Sequence, residues 1–315
     1  MAEKRGIEET RDIIDFVFSF VEAVGKAKAD GEMSWSDARY FIDPVKKLFE
    51  AVDDIEEVLR IAKKNHIDTI DTAIAYGESE SRLGKHDLKE FKIITKIPKF
   101  SSEETNIEKW INEEIESSLL RLNKNKIHAI LLHHPNDLKK SEGKIIYESL
   151  KKFKDQNIIS KLGVSIYSPN ELDNIFSNFD FEIVQAPFNV IDNSLINSGW
   201  MKKLNENRIE IHTRSTFLQG LLLCDLNEIP YKFNKWKDIF ESWDYQTSKI
   251  NISKMEACLN YSNSFNEINK IIVGIDNLSQ FKEILSYDLS KDYQRLPSFN
   301  CLDKTLINPS NWDSL

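Results

Sequence analysis

Residues 71–77 read Asp-Thr-Ala-Ile-Ala-Tyr-Gly. An apolar run ends in an acid, Asp71, and Tyr76 follows five positions later at the edge of the expected strand. Two more reactive residues stand in the same way at the ends of short apolar runs. They are Lys96 in Ile-Ile-Thr-Lys-Ile-Pro and His133 in Ala-Ile-Leu-Leu-His-His-Pro. Reactive side chains at successive strand ends, in a chain that alternates strand and helix patterns, point to an α/β fold of TIM type. In such barrels the functional groups gather at the C-terminal ends of parallel strands.

The alternation is legible from about residue 55 onward. Strand patterns fall at 66–73, 91–97, 127–133, 161–166, 183–186, 209–214 and 270–274. Helical spacing marks Ile55, Val58, Leu59 and Ala62 before the first of them. It returns in Ile107, Ile111, Ile115 and Leu119 between the second and third. Ser168-Pro169-Asn170-Glu171 has the cap, N1 proline and N3 glutamate of a helix start. Alternation of this kind implies a parallel sheet with right-handed crossovers.

These runs supply seven strands, and a closed barrel of this type has eight. Residues 1–54 read instead as a small all-helical segment. Ile14, Val17, Phe18, Val21 and Val24 recur at spacings of 3 and 4, and Asp30-Gly31 breaks the pattern. Ser34 or Ser36 caps a second helix, and Asp43-Pro44 opens a third. The expectation is therefore a (β/α)8 barrel-like domain over 55–315 without a recognisable first strand, preceded by helices over 1–54. Such a gap would leave the edges of the second and eighth strands unpaired. The segment is an appended module of the kind that serves packing or homo-oligomerisation, or is joined to the barrel from elsewhere, or an irregular piece of it still fills the gap.

Asp71, Tyr76, Lys96 and His133 form one chemical set. A lysine beside a phenol favours the phenolate. An acid behind the lysine holds it charged and in place, and a neutral histidine orients a carbonyl oxygen. Together they make a proton donor for carbonyl reduction. Singly, each has an ordinary explanation: a strand-end acid, a rim tyrosine, a solvated lysine, a packing histidine beside His134. The order and placement of all four favour the catalytic reading.

With these four residues and the Leu-Leu-His-x-Pro frame, the chain resembles the aldo-keto reductase family over residues 55–315. The resemblance implies an NAD(P)-dependent oxidoreductase that reduces an aldehyde or ketone carbonyl. Asp71, Tyr76, Lys96 and His133 would be its catalytic set. It also implies a cofactor site. Ser165, in Gly163-Val164-Ser165, and Gln185 would meet the nicotinamide carboxamide. Ile166 stands where relatives often carry Asn. Arg214 replaces an aromatic residue that stacks on the nicotinamide in many relatives, and a guanidinium also stacks flat on rings. Ser215 and the backbone of Phe217, Leu218 and Gly220 resemble the pyrophosphate loop. Gly274, Asp276 and Gln280 lie in the adenosine loop. Gly274 and Gln280 stand where NADP-preferring relatives often carry Lys and Arg. Asp276 would repel a 2′-phosphate and accept from a ribose hydroxyl. NADP and NAD both remain open. The tail Asn308-Pro309-Ser310-Asn311-Trp312 resembles the end of a bacterial subgroup linked to surface-sugar pathways. This association brings in a sugar-related substrate but leaves the small carbonyl substrate open, and the plain alternative is that Trp312 seals a barrel end.

Composition narrows the alternatives. Among the 315 residues 41% are apolar and 30% charged, and the net charge is −9. Duplex binding needs clustered Lys and Arg, so no nucleic-acid partner is expected. Cys224, Cys258 and Cys301 lie far apart, which implies reduced thiols with no disulfide frame and no metal site. The apolar stretch 13–24 is short and holds Asp15 and Glu22. No signal or membrane span is expected, and a cytoplasmic location is. A second reading belongs to another class: a catalytically silent barrel whose N-terminal helices serve assembly or partner binding. The absent first strand motivates it.

Overall fold

A computed structural model of the chain describes residues 14–17, 55–101, 106–275, 277–287, 289, 299 and 301–315. Eight parallel strands close into a barrel in sequence order. They are β1 (Ile14–Val17), β2 (Thr69–Asp71), β3 (Lys92–Ile97), β4 (Ile127–Leu132), β5 (Ile159–Ser165), β6 (Ile183–Pro187), β7 (Glu210–Arg214) and β8 (Lys270–Gly274). Strands β2 to β8 answer the seven sequence patterns one for one, with ends shifted by no more than a few residues.

The first strand is the correction. Ile14–Val17 was expected in a helix, and its backbone is extended. Phe16 pairs with Ile70 of β2, and Ile14 to Val17 pair with Ile271 to Gly274 of β8. The physical reason is long-range. β2 and β8 would otherwise present unpaired N–H and C=O groups to each other's gap. That demand outweighs the weak local preference that a helical spacing expresses. The remainder of 1–54, including the other expected helices, lies outside the described residues.

Helices wrap the barrel where the sequence placed them. Ile55–Lys64 buries Ile55, Val58, Leu59 and Ala62. Ile107–Leu122 is capped at its start by Asn106, which accepts from Lys109 N, and ends on Asn123 in the left-handed region at φ 52°. Ser168 opens only a short 3-10 turn over Pro169–Glu171, in which Glu171 accepts from Ser168 N at 3.0 Å. Most buried apolar residues form one layer between sheet and helices, and Ile94, Ala129, Leu131 and Ile183 form a second, smaller cluster. Gly163 is required in β5. A Cβ there would lie 2.3 Å from Ile183 O and 2.7 Å from Leu131 Cδ2. The three free cysteines are Cys224, Cys258 and Cys301. Among the described residues no helix is long and apolar enough to cross a membrane.

Candidate active site

Because every strand runs the same way, their C-terminal ends share one face, and register aligns them there. Val17 is level with both Asp71 and Gly274, Lys96 with Leu131, Ser165 with Gln185, and Pro187 with Arg214. Asp71 closes β2, Lys96 lies one residue from the end of β3, and His133 directly follows β4. The chain leaving β2 stays pinned to β3 by Thr72 N→Ile94 O at 2.8 Å and Ile74 N→Lys96 O at 3.2 Å. It then turns through Tyr76 and Gly77, whose φ of 55° suits a residue without Cβ.

Lys96 and Asp71 are each 1% exposed and form an ion pair, and Lys96 Nζ also donates to Thr72 O at 2.9 Å. The solvated-lysine alternative is therefore excluded for Lys96. Its ammonium lies 5.2 Å from the centroid of the Tyr76 ring. Tyr76 also meets His133 edge-on, with ring centroids 5.8 Å apart at 79°. Burial pushes His133 down to about 3, helped by the charges of Lys96, His134 and Arg214. The shift favours the neutral imidazole at physiological pH, which keeps one N–H to donate.

The second oxygen of Asp71 accepts from Gln185 Nε2 at 2.7 Å, and Gln185 Oε1 accepts from Ser165 Oγ at 3.1 Å. Both Gln185 and Ser165 are 1% exposed. Arg214 ends β7, donating from Nη2 to Ile166 O at 3.0 Å, with its Cζ 4.8 Å from the Tyr167 ring centroid.

Tyr76, Asp71, Gln185 and Arg214 open on a cavity of about 340 Å³. Ser215, Gly220, Gly274 and Gln280 continue its wall. Leu218 is buried behind the wall, so only its backbone, at φ 47°, contributes to the loop. Asp276 lies outside the described residues. The wall also includes Thr216, Leu223, Met255 and Ile284, which the sequence reading missed. Met255 and Ile284 sit on helix faces with no local signal that they border a cavity.

Three features of this wall fit a nicotinamide dinucleotide. The Thr216 hydroxyl is buried, borders the cavity and has no hydrogen-bond partner in the structure. Ser215, Leu218, Gln219 and Gly220 have positive φ, and Leu218 N→Ser215 O at 2.9 Å closes the tight turn they form beside the cavity; turns of this kind present backbone amides to anions. Gln185 lines the cavity with its side-chain amide, and Ser165, which is not part of the wall, supports that amide by donating to its oxygen. Among the described residues, no group of three or more His, Cys, Asp or Glu is placed to hold a metal.

A further cluster escaped sequence reading. Glu80, 1% exposed, accepts from Thr95 Oγ1 at 2.6 Å, Ser118 Oγ at 2.7 Å and Arg121 Nε at 2.8 Å. Thr72 and Ser79 hydroxyls meet at 2.9 Å beside it. Together they bind the segment carrying Tyr76 to β3, next to Lys96, and to the helix 107–122.

The fold is a closed parallel (β/α)8 barrel that gathers these groups at the C-terminal ends of its strands. The sequence model of the Aldo/keto reductase family matches residues 49–293, and the chain belongs to that family. No curated protein matches it by sequence. Among solved structures it is similar to the holo form of an aldo-keto reductase from Bacillus halodurans, with 17% identity over 80% of this chain and 85% of that one, at a TM-score of 0.63. It is also similar to a glycerol dehydrogenase from Gluconobacter oxydans, with 20% identity over 77% of this chain and 85% of that one, at a TM-score of 0.59. At these identities the likeness is one of fold.

Proposed function

We propose that the chain is an NAD(P)H-dependent oxidoreductase that reduces an aldehyde or ketone to an alcohol. The carrying observation is the buried Asp71–Lys96 pair set against Tyr76, with His133 edge-on to the same ring. When bound, the nicotinamide supplies the hydride. Tyr76 gives its phenolic proton to the carbonyl oxygen as the carbon is reduced. Lys96 stabilises the phenolate left behind, and Asp71 holds the ammonium in place. His133 donates an N–H to the same carbonyl oxygen and orients it. Water exclusion comes from the depth of the pair, which strengthens each of these interactions.

Ser165 and Gln185 are assigned to the carboxamide, Arg214 to the ring, and Ser215, Leu218 and Gly220 to the pyrophosphate. Gly274, Asp276 and Gln280 are assigned to the adenosine end. Neither Gly274 nor Gln280 carries a charge for a 2′-phosphate, so the reading covers NAD as well as NADP. The tail resemblance makes sugar-related carbonyl compounds the first substrates to screen. Cytoplasmic location, and assembly through the segment before residue 55, belong to the same proposal. The silent-barrel alternative was motivated by a missing first strand, and Ile14–Val17 occupies that place.

The test is Tyr76→Phe. Turnover of a small aldehyde should fall by about 10²–10⁴-fold, the usual contribution of a general acid. Fluorescence titration with NADPH and NADH should show cofactor affinity close to wild type. Near-normal turnover in this variant would remove Tyr76 as the acid.

A further inference from the structure

Arg214 stands out among the charges of the site because no described carboxylate forms an ion pair with it. Its Nη2 donates to Ile166 O, its Nη1 to Ser215 Oγ at 3.3 Å, and its plane lies over Tyr167. None of these partners is an anion. Among the described residues no carboxylate lies within ion-pair distance of the guanidinium. Asp71 is committed to Lys96 and Gln185. The buried Asp192 accepts from Ser194 N at 3.0 Å instead, and burial pushes its carboxyl up against the opposing pull of Arg214. The charge of Lys96 is answered locally by Asp71, whereas that of Arg214 is not. Its field reaches the reaction centre, since Arg214 is one of the charges that hold His133 low.

The nicotinamide ring is positively charged when oxidised and neutral when reduced. For hydride to reach a carbonyl held by Tyr76, the ring must lie in the cavity beside Tyr76, and Arg214 lines the same cavity. We propose that Arg214 makes the site discriminate between the two redox states of its cofactor. Its charge, met directly only by neutral partners among the described residues, repels the oxidised ring and leaves the reduced ring unaffected. In a mixed cofactor pool the site then loads with the reduced form, and inhibition by the oxidised product is weak. This rests on the NAD(P) reading above and deepens it.

The experiment measures dissociation constants of NADH, NAD⁺, NADPH and NADP⁺ on the full chain at low and high salt. It uses the wild type, Arg214→Gln and Arg214→Lys. Like charges in a partly exposed site imply a ratio of oxidised to reduced dissociation constants on the order of tenfold in the wild type. That ratio should approach unity in Arg214→Gln, persist in Arg214→Lys and shrink with salt. A wild-type ratio of unity overturns the proposal without any variant, as does an unchanged ratio in Arg214→Gln. Binding of none of the four overturns the NAD(P) reading itself, and the inference with it. Binding of all four with no discrimination overturns the inference alone.

Discussion

Replacing Lys96 by methionine tests the buried pair on which the site is built. Both members are 1% exposed. The substitution keeps most of the side-chain volume but leaves Asp71 in the barrel with one polar partner, Gln185 Nε2 at 2.7 Å, and removes the bond to Thr72 O. Breaking a buried pair from one side costs about 3–5 kcal/mol, because an uncompensated charge stays behind. The double variant Asp71→Leu with Lys96→Met removes that charge. It should retain only the loss from unpaired Gln185 and Thr72 groups, about 1–3 kcal/mol each at most. The assay is chemical denaturation of all four members of the cycle, with loss read from the midpoint at constant m-value. The double variant should therefore be more stable than the sum of the two single losses predicts. Strict additivity, or a loss below about 1 kcal/mol in Lys96→Met, would refute the claim that the pair is desolvated and coupled.

Two further outcomes are expected. His133, held near 3 by burial, should show no imidazole titration by NMR between pH 5 and 8. Because the unfolded chain takes this proton near 6.5 and the folded one only near 3, its contribution to stability is present above about pH 6.5 and is lost progressively as pH falls toward 3. A histidine signal assigned to His133 that titrates near 6.5 would remove the buried, neutral assignment. Glu80→Gln should lower stability by about 1.5–3 kcal/mol through weakened bonds to Arg121, Thr95 and Ser118. It should also lower turnover more than cofactor affinity, because Glu80 ties down the segment carrying Tyr76. Stability within 0.5 kcal/mol of wild type, about the effect of an ordinary surface change, would show the network to be dispensable.

Much of this protein is determined locally and is therefore legible in the chain. Short apolar runs separated by helical spacings name β2 to β8, because burial of one face imposes a period on each element. The ends of those runs place Asp71, Lys96 and His133, since parallel strands bring their C-terminal ends to one rim. What the tertiary structure decided depends on partners far away in sequence. Ile14 to Val17 carry a helical spacing, yet the open edges of β2 and β8 draw them into the sheet. Lys96 is buried rather than solvated because Asp71 and Thr72 O wait for it across a strand pair. Glu80 is an unremarked acid until the fold brings Ser118 and Arg121 to it. Arg214 reads as a substitution for an aromatic ring, and only its surroundings show a cation that no described carboxylate pairs with. Backbone period is a property of neighbours, whereas pairing, desolvation and uncancelled charge are properties of the closed barrel.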